Sequence, residues 1–119
     1  MGWDANALRD GQYIDYAADA GELTAVFDAA AREVQRLAGC VDHMLFHGGL
    51  DCSWTREFIE EAIGREAVGI FSPEEVRAFV ASAKWRDPAG LDENALCMYW
   101  SARKFLETCA EHGLGVWME

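Results

Sequence analysis

The segment from Asp92 to His112 carries apolar residues on two sides of one predicted helix, and this feature restricts the fold more than any other. Helical spacing forms one stripe from Leu96, Tyr99, Leu106 and Ala110 and a second from Met98, Ala102, Phe105 and Cys109. A surface helix needs only one apolar stripe, whereas a helix with two is surrounded by other elements. We therefore predict that this helix lies at the centre of the domain.

Three further segments have helical periodicity and recognisable end signals. The first runs from Glu22 to Ala38 before Gly39, and the second starts with Ser53 or Thr55 as its cap and ends before Gly64. The third has the clearest start, because Ser72, Pro73 and Glu75 form a capping box. The central helix begins at the cap Asp92 and ends with Gly113 in the C′ position, where Leu114 contacts Cys109 in a Schellman ending.

Short apolar runs predict the strands. An Asp10-Gly11 turn joins two segments, 3–8 and 12–16, into an N-terminal hairpin, and the runs 41–46, 67–71 and 114–118 are further strand candidates. Gly48 and Gly49 are interpreted as a turn before the second helix, with Asp51 or Ser53 as its cap. The expected fold is α+β, with about four helices packed on one small, mostly antiparallel sheet. That sheet includes the N-terminal hairpin and the C-terminal strand, in a single compact domain of 119 residues.

The charge of the chain indicates which partners it can bind. Twenty-one acids against ten bases give a net charge of −11. Direct binding of nucleic acid is not expected, because such affinity comes largely from Lys and Arg that neutralise phosphates. A protein partner with a basic surface is electrostatically favoured, although acidity by itself also serves solubility.

The chain's start and its cysteines indicate a compartment. The opening Met1-Gly2-Trp3-Asp4 lacks the regions of a secretory signal, and no apolar run approaches the roughly 20 residues that cross a bilayer. We expect a cytoplasmic location, where four cysteines are thiols and not bridges. Cys97 and Cys109 on one helix are about 18 Å apart along its axis, too far to bond.

The segment 40–52 gathers two of the three histidines, two cysteines and two carboxylates, and it permits three readings. Its metal ligands would be Cys40, His43, His47 and Cys52, although the spacing lacks the close Cys pair of common zinc sites. As a thiol enzyme, the segment would use Cys52 as nucleophile, with His47 as base and Asp51 beside them. The structural reading makes it a strand, a glycine turn and a helix cap, and we favour this reading.

Five tryptophans supply many potential binding anchors. We expect Trp54 and Trp100 in the core and Trp117 in the last strand, while Trp3, Trp85 and Tyr16 are exposed. The candidate binding residues are exposed aromatics together with nearby acids: Trp3, Asp15, Tyr16, Asp19, Glu22 and Trp85.

The stretches Phe71-Ser72-Pro73-Glu74-Glu75-Val76-Arg77, Tyr99 to Phe105 and Cys109 to Val116 resemble the late part of the YfbM-like family of small bacterial proteins. The likeness covers under half of the chain and does not include His47. The resemblance implies an α+β architecture and assigns no catalytic residue, because that family is functionally uncharacterised.

These observations favour a small acidic interaction protein over an enzyme. The hypothesis is an inhibitor, immunity or anti-defence protein of bacterial or phage type that meets a basic partner surface without a cofactor. The alternative is a thiol- or metal-dependent enzyme centred on His47, Asp51 and Cys52.

Overall fold

A computed structural model describes residues 2–14, 22–40, 45–46, 49–51 and 53–119, with the side chains of Phe46 and Asp51 excepted. In these residues the strands are β1 Asp4–Arg9, β2 Gln12–Tyr13, β3 Leu45–Phe46, β4 Gly49–Asp51, β5 Gly69–Phe71 and β6 Gly115–Met118. The helices are α1 Glu22–Ala38, α2 Ser53–Ile63, α3 Pro73–Ser82 and α4 Glu93–Glu111. The predicted α+β class is confirmed.

The strands form one antiparallel sheet in which the two ends of the chain meet. The order is β3-β4-β1-β6-β5, and β2 pairs with the far end of β1. At its centre β1 and β6 lie side by side, with Ala5 opposite Met118 and Ala7 opposite Val116. The prediction that the N-terminal hairpin and the C-terminal strand share one sheet is confirmed.

The hairpin turn and the helix ends follow the local chemistry of their residues. Asp10 and Gly11 both have positive φ, at 53° and 76°, as a two-residue hairpin turn of the mirror-image type requires. The Ser72 hydroxyl accepts a hydrogen bond from the Glu75 N–H, and the Glu75 carboxylate accepts one from the Ser72 N–H. Both predictions are therefore confirmed.

The end of α4 has the predicted Schellman geometry. The Leu114 N–H donates to the Cys109 carbonyl at 2.9 Å, and the intervening Gly113 has a φ of 67°. At the other end of α4, the Asp92 carboxylate accepts a hydrogen bond from the Ala95 N–H. At each end of the central helix, the hydrogen bonds that end it join residues only three to five positions apart.

The prediction that Gly49 lies in a turn was wrong, whereas the position before α2 lies outside the described residues. Gly49 lies in β4, where it pairs with Phe46 of β3 and Asn6 of β1, and Asp51 is the last residue of that strand. Ser53 is the first residue of α2, and Thr55 lies inside the helix and is buried. The three residues of β4 pair with β1, which lies more than forty positions earlier, and two of them also pair with the neighbouring β3; the long-range pairing is not visible in local sequence.

The helices cover one face of the sheet, with α4 in the middle. Tyr99, Phe105 and Leu106 of α4 are fully buried, and α4 contacts the other three helices and the sheet. The core joins residues from all these elements, such as Phe27 of α1, Ile59 of α2, Val76 of α3 and Val116 of β6. The predicted central position of the fourth helix is confirmed. Among the described helices, none has the length and apolar character needed to cross a membrane.

Candidate interaction surface

The second face of the sheet is not covered by any helix that the structure describes. Ala5 and Ala7 point into the core with Val116 and Met118. Because side chains alternate along a strand, Asn6 and the β6 residue opposite it, Trp117, lie on the other face. This outer face is where the chain presents side chains from several strands together.

The outer face carries an aromatic and aliphatic group, which we call the shelf, made of Tyr13, Trp117 and Ile70. The rings of Tyr13 and Trp117 stack with centroids 5.2 Å apart and an interplanar angle of 22°. Ile70 lies opposite Trp117 on β5. Tyr13 is 53% exposed and Ile70 66% exposed, which is unusual for side chains of this size. The shelf is therefore an apolar surface open to a partner.

Two carboxylates lie at one end of the shelf. Asp4 and Glu119 face each other across β1 and β6, and their backbones exchange hydrogen bonds of 2.8 and 2.9 Å. Partial desolvation raises the pKa of Tyr13, and the negative charges of Glu119 and Asp4 raise it further. The two acids are thus close enough to act electrostatically on the shelf.

A cleft of about 500 Å³ lies at the opposite end of the outer face. The hairpin turn at Asp10 forms one wall, and the start of α3 with Glu75 forms the other. Arg9 and His112 also line it, so the cleft brings acidic and basic side chains together and favours no single class of charged ligand. Gly115 is required beside it, because a Cβ there would lie 2.7 Å from the Phe71 carbonyl oxygen.

The structure changes the predicted set of binding residues. Trp3 is only 3% exposed, and its indole N–H donates to the Ala67 carbonyl at 2.8 Å, so its predicted exposure was wrong. Trp54 is 51% exposed, which corrects its predicted place in the core. Glu22 is exposed at the start of α1. The remaining candidates Asp15, Tyr16 and Asp19 lie outside the described residues.

Trp85 belongs to a structural cluster around Tyr99. Its ring meets that of Tyr99 edge to face, with centroids 5.9 Å apart, and the Arg103 guanidinium lies over it. The Tyr99 hydroxyl donates to the Arg86 carbonyl at 2.7 Å and accepts from Arg103 at 2.8 Å. Trp85 is therefore half-buried, contrary to its predicted exposure, and helps to fix the connection between α3 and α4.

The prediction that all cysteines are thiols was wrong. Cys40 and Cys97 form a disulfide, with Cα atoms 6.1 Å apart, which links the end of α1 to α4. Sequence spacing excluded only the Cys97–Cys109 pair, and Cys109 is indeed a buried free thiol. The pairing of Cys40 with Cys97 depends on packing between two helices, which no local pattern reveals.

The disulfide removes Cys40 from the predicted metal set, because a disulfide sulfur is not a thiolate ligand. The other three members, His43, His47 and Cys52, lie outside the described residues, as do two of the three predicted catalytic residues. Asp51, the third, ends β4. Among the residues that are described, no group of three or more metal-binding side chains converges.

Sequence reasoning missed the shelf, although one signal was available. The alternation of Asp4, Asn6 and Leu8 with alanines indicated a sheet face unlike the core face, but the pairing of Tyr13 with Trp117 joins residues about one hundred positions apart. Comparison with protein-family models, with curated proteins and with solved structures finds no match for this chain. The resemblance to the YfbM-like family stays a prediction.

Proposed function

We propose that the chain is a small acidic interaction module whose shelf and neighbouring carboxylates bind a basic surface of a protein partner. The observation that carries this proposal is the stacked Tyr13–Trp117 pair, open beside Asp4 and Glu119 on the outer face. A role as an inhibitor, immunity or anti-defence protein of bacterial or phage type is consistent with this mode of binding.

The chemistry of the surface supports a basic partner in two ways. Tyr and Trp side chains are enriched among the residues that dominate binding energy, because they offer large, rigid contact areas. Cations also bind favourably to aromatic faces, especially when carboxylates lie nearby. A net charge of −11 would in addition accelerate encounter with a basic protein and make the association rate depend on salt.

The proposal includes no cofactor and no direct contact with nucleic acid or membrane. The expected cytoplasmic location stays a prediction, and the Cys40–Cys97 disulfide is more typical of oxidising compartments. Fractionation of cells of the source organism, with alkylation of free thiols before lysis, would identify both the location and the redox state of the pair.

The test is a selection of displayed peptides on the immobilised protein, followed by affinity measurements on the enriched sequences. We expect enrichment of Lys and Arg, with affinity falling as salt rises from about 50 to about 300 mM. The variant Asp4→Lys with Glu119→Lys should weaken binding by about five- to tenfold. Glu57→Lys with Glu111→Lys, an equal charge change at two exposed helix positions, is the matched control.

Two further variants distinguish binding to the shelf from attraction by the net charge of the chain. Tyr13→Ala removes part of the shelf and should weaken binding of the selected peptides. Charge reversal of Asp15, Asp19 and Glu22 measures how much these acids, which follow Tyr13 in the sequence, contribute to binding. If the selected peptides are not basic, or if the Asp4 and Glu119 reversals act no more strongly than the Glu57 and Glu111 reversals, the proposal is wrong.

A further inference from the structure

Among the described strands, β5 is the outermost on its side of the sheet, and none of them pairs with its outer edge. The sheet order ends at β5, whose strand partner is β6. Two large apolar side chains in and just before this strand are exposed, Ile70 at 66% and Val68 at 45%, whereas Phe71 is buried in the core. An exposed apolar edge strand can pair with another chain.

The hydrogen-bond pattern shows which backbone groups face outward. In an antiparallel pair, hydrogen-bonded residue pairs alternate with pairs that are not bonded to each other. Asp4 and Glu119 exchange both bonds, so the Trp117 N–H and C=O also point to β1. Met118 and Val116 then bond with β5, through Gly69 and Phe71.

It follows that the N–H and C=O of Ile70 point away from β6, to the open edge. Neither group has a hydrogen-bond partner among the residues that the structure describes. The edge ends at Ser72, because its N–H donates to the Glu75 carboxylate. Ile70 therefore offers one donor and one acceptor in the geometry that an added strand requires.

The charges around β5 select the kind of chain that can pair there. Glu66 precedes the strand and is 73% exposed, with the Arg56 guanidinium 3.3 Å away, while the exposed Glu74 and Glu75 follow it. The one base in residues 65–75, Arg65, lies over the rings of Phe71 and Phe79. A basic segment would meet carboxylates at both ends of the strand.

A second copy of the chain would not offer basic residues to these carboxylates. Antiparallel self-pairing centred on Ile70 would bring Glu66 of one copy towards Glu74 of the other, and the symmetry would repeat this contact between like charges. The same register places Arg65 opposite Glu75, but the Arg65 guanidinium lies over the rings of Phe71 and Phe79 of its own chain. Each copy also carries a net charge of −11. The charges therefore favour a basic partner over self-association.

We propose that β5 is a strand-addition site, at which an extended basic segment of a partner protein pairs with the main chain of Ile70 and covers Val68 and Ile70. This inference rests on the proposed function for the basic character of the partner, and it adds the main-chain mode of recognition. Because Ile70 is also part of the shelf, the added strand would extend the sheet beside the Tyr13–Trp117 stack.

The experiment uses two capped peptides of about nine residues with alternating Val and Thr between pairs of Lys. One peptide is N-methylated at every second central residue, which leaves one edge able to pair and prevents growth into sheets of more than two peptides. The other is N-methylated at every central residue, which blocks both edges and keeps the charge. Binding to the whole protein is measured by fluorescence anisotropy, and amide exchange at Ile70 is followed by NMR.

We expect the half-methylated peptide to bind about tenfold or more tightly than the fully methylated one, because main-chain bonds are lost in the latter. Exchange of the Ile70 amide should slow by about tenfold in the complex. Ile70→Pro, which removes the outward N–H, should abolish the difference between the peptides, whereas Ile70→Thr should preserve it. The amide-exchange result on the unmodified protein stands if Ile70→Pro fails to fold.

The outcomes separate this inference from the proposed function. Equal, salt-sensitive binding of both peptides would overturn strand addition and leave the acidic module in place. Preferential binding that ignores salt would support strand addition and contradict a basic partner. Binding of neither peptide overturns strand addition, while the display selection with Asp4 and Glu119 variants still decides the proposed function. Protection of the Ile70 amide in a peptide-free dimer would identify a second copy as the occupant and overturn the inference.

Discussion

Reduction of the Cys40–Cys97 disulfide should cost this domain a large part of its stability. The bridge joins residues 57 positions apart, so it closes a long loop in the unfolded chain. For a loop of that length the chain-entropy model gives about 14 cal/mol/K of lost unfolded-state entropy, or about 4 kcal/mol at room temperature. Native domains of this size are stable by only about 5–15 kcal/mol, so the effect should be easy to measure.

The assay is urea unfolding followed by tryptophan fluorescence, with and without a reductant. With a urea m-value of about 1.5 kcal/mol/M, the midpoint of the unmodified protein should fall by roughly 2–3 M on reduction. The double variant Cys40→Ala with Cys97→Ala should start at the lower midpoint and should not respond to the reductant. Alkylation before and after reduction, mapped by mass spectrometry, should show that Cys40 and Cys97 become reactive together.

The loop-closure reasoning is refuted if the reductant leaves the midpoint of the unmodified protein in place. It is refuted equally if the reductant lowers the midpoint of the double alanine variant by the same amount, because the effect would then come from elsewhere. Labelling of Cys40 and Cys97 in the unreduced, unfolded protein would show that the bridge itself is absent.

Three further predictions follow from buried or capping groups. Ser72→Ala removes the capping box of α3 and should lower the free energy of unfolding by about 1 kcal/mol in thermal or urea unfolding. Ser82→Ala, at an exposed hydroxyl, should change it by less than about half of that, and equal effects would contradict the capping role. Tyr99→Phe removes the hydroxyl that bonds to the Arg86 carbonyl and to Arg103, and it should lower the free energy of unfolding by about 1–3 kcal/mol. Tyr13→Phe is the exposed control, and an unchanged stability of Tyr99→Phe would show that water replaces the hydroxyl. Burial raises the pKa of the Cys109 thiol far above its usual range. Above a pH of about 8.5 the thiol therefore ionises in the unfolded chain but stays protonated in the folded one, so the free energy of unfolding should fall with rising pH by up to about 1.4 kcal/mol per pH unit. Cys109→Ala, measured with the disulfide intact, should remove that pH dependence, and an unchanged dependence would assign it to another group.

The features that the sequence predicted are those whose causes lie within a few residues. The capping box at Ser72, the Asp10-Gly11 turn and the Schellman ending at Gly113 each satisfy backbone groups with neighbours in the chain, so their energy depends little on the rest of the fold. The two apolar stripes of α4 also predicted its central place, because both stripes must be removed from water.

Tertiary structure decided the features that join distant parts of the chain. Trp3 is buried in the core, where its indole N–H bonds to a carbonyl 64 positions away, and β4 gains backbone partners from the distant β1 as well as from the neighbouring β3. The Cys40–Cys97 bridge and the Tyr13–Trp117 stack likewise depend on how helices and strands are placed against each other. Residue type and spacing determine which element a segment can form, but packing and strand order determine which side chains meet. The interaction surface of this protein depends on packing and strand order.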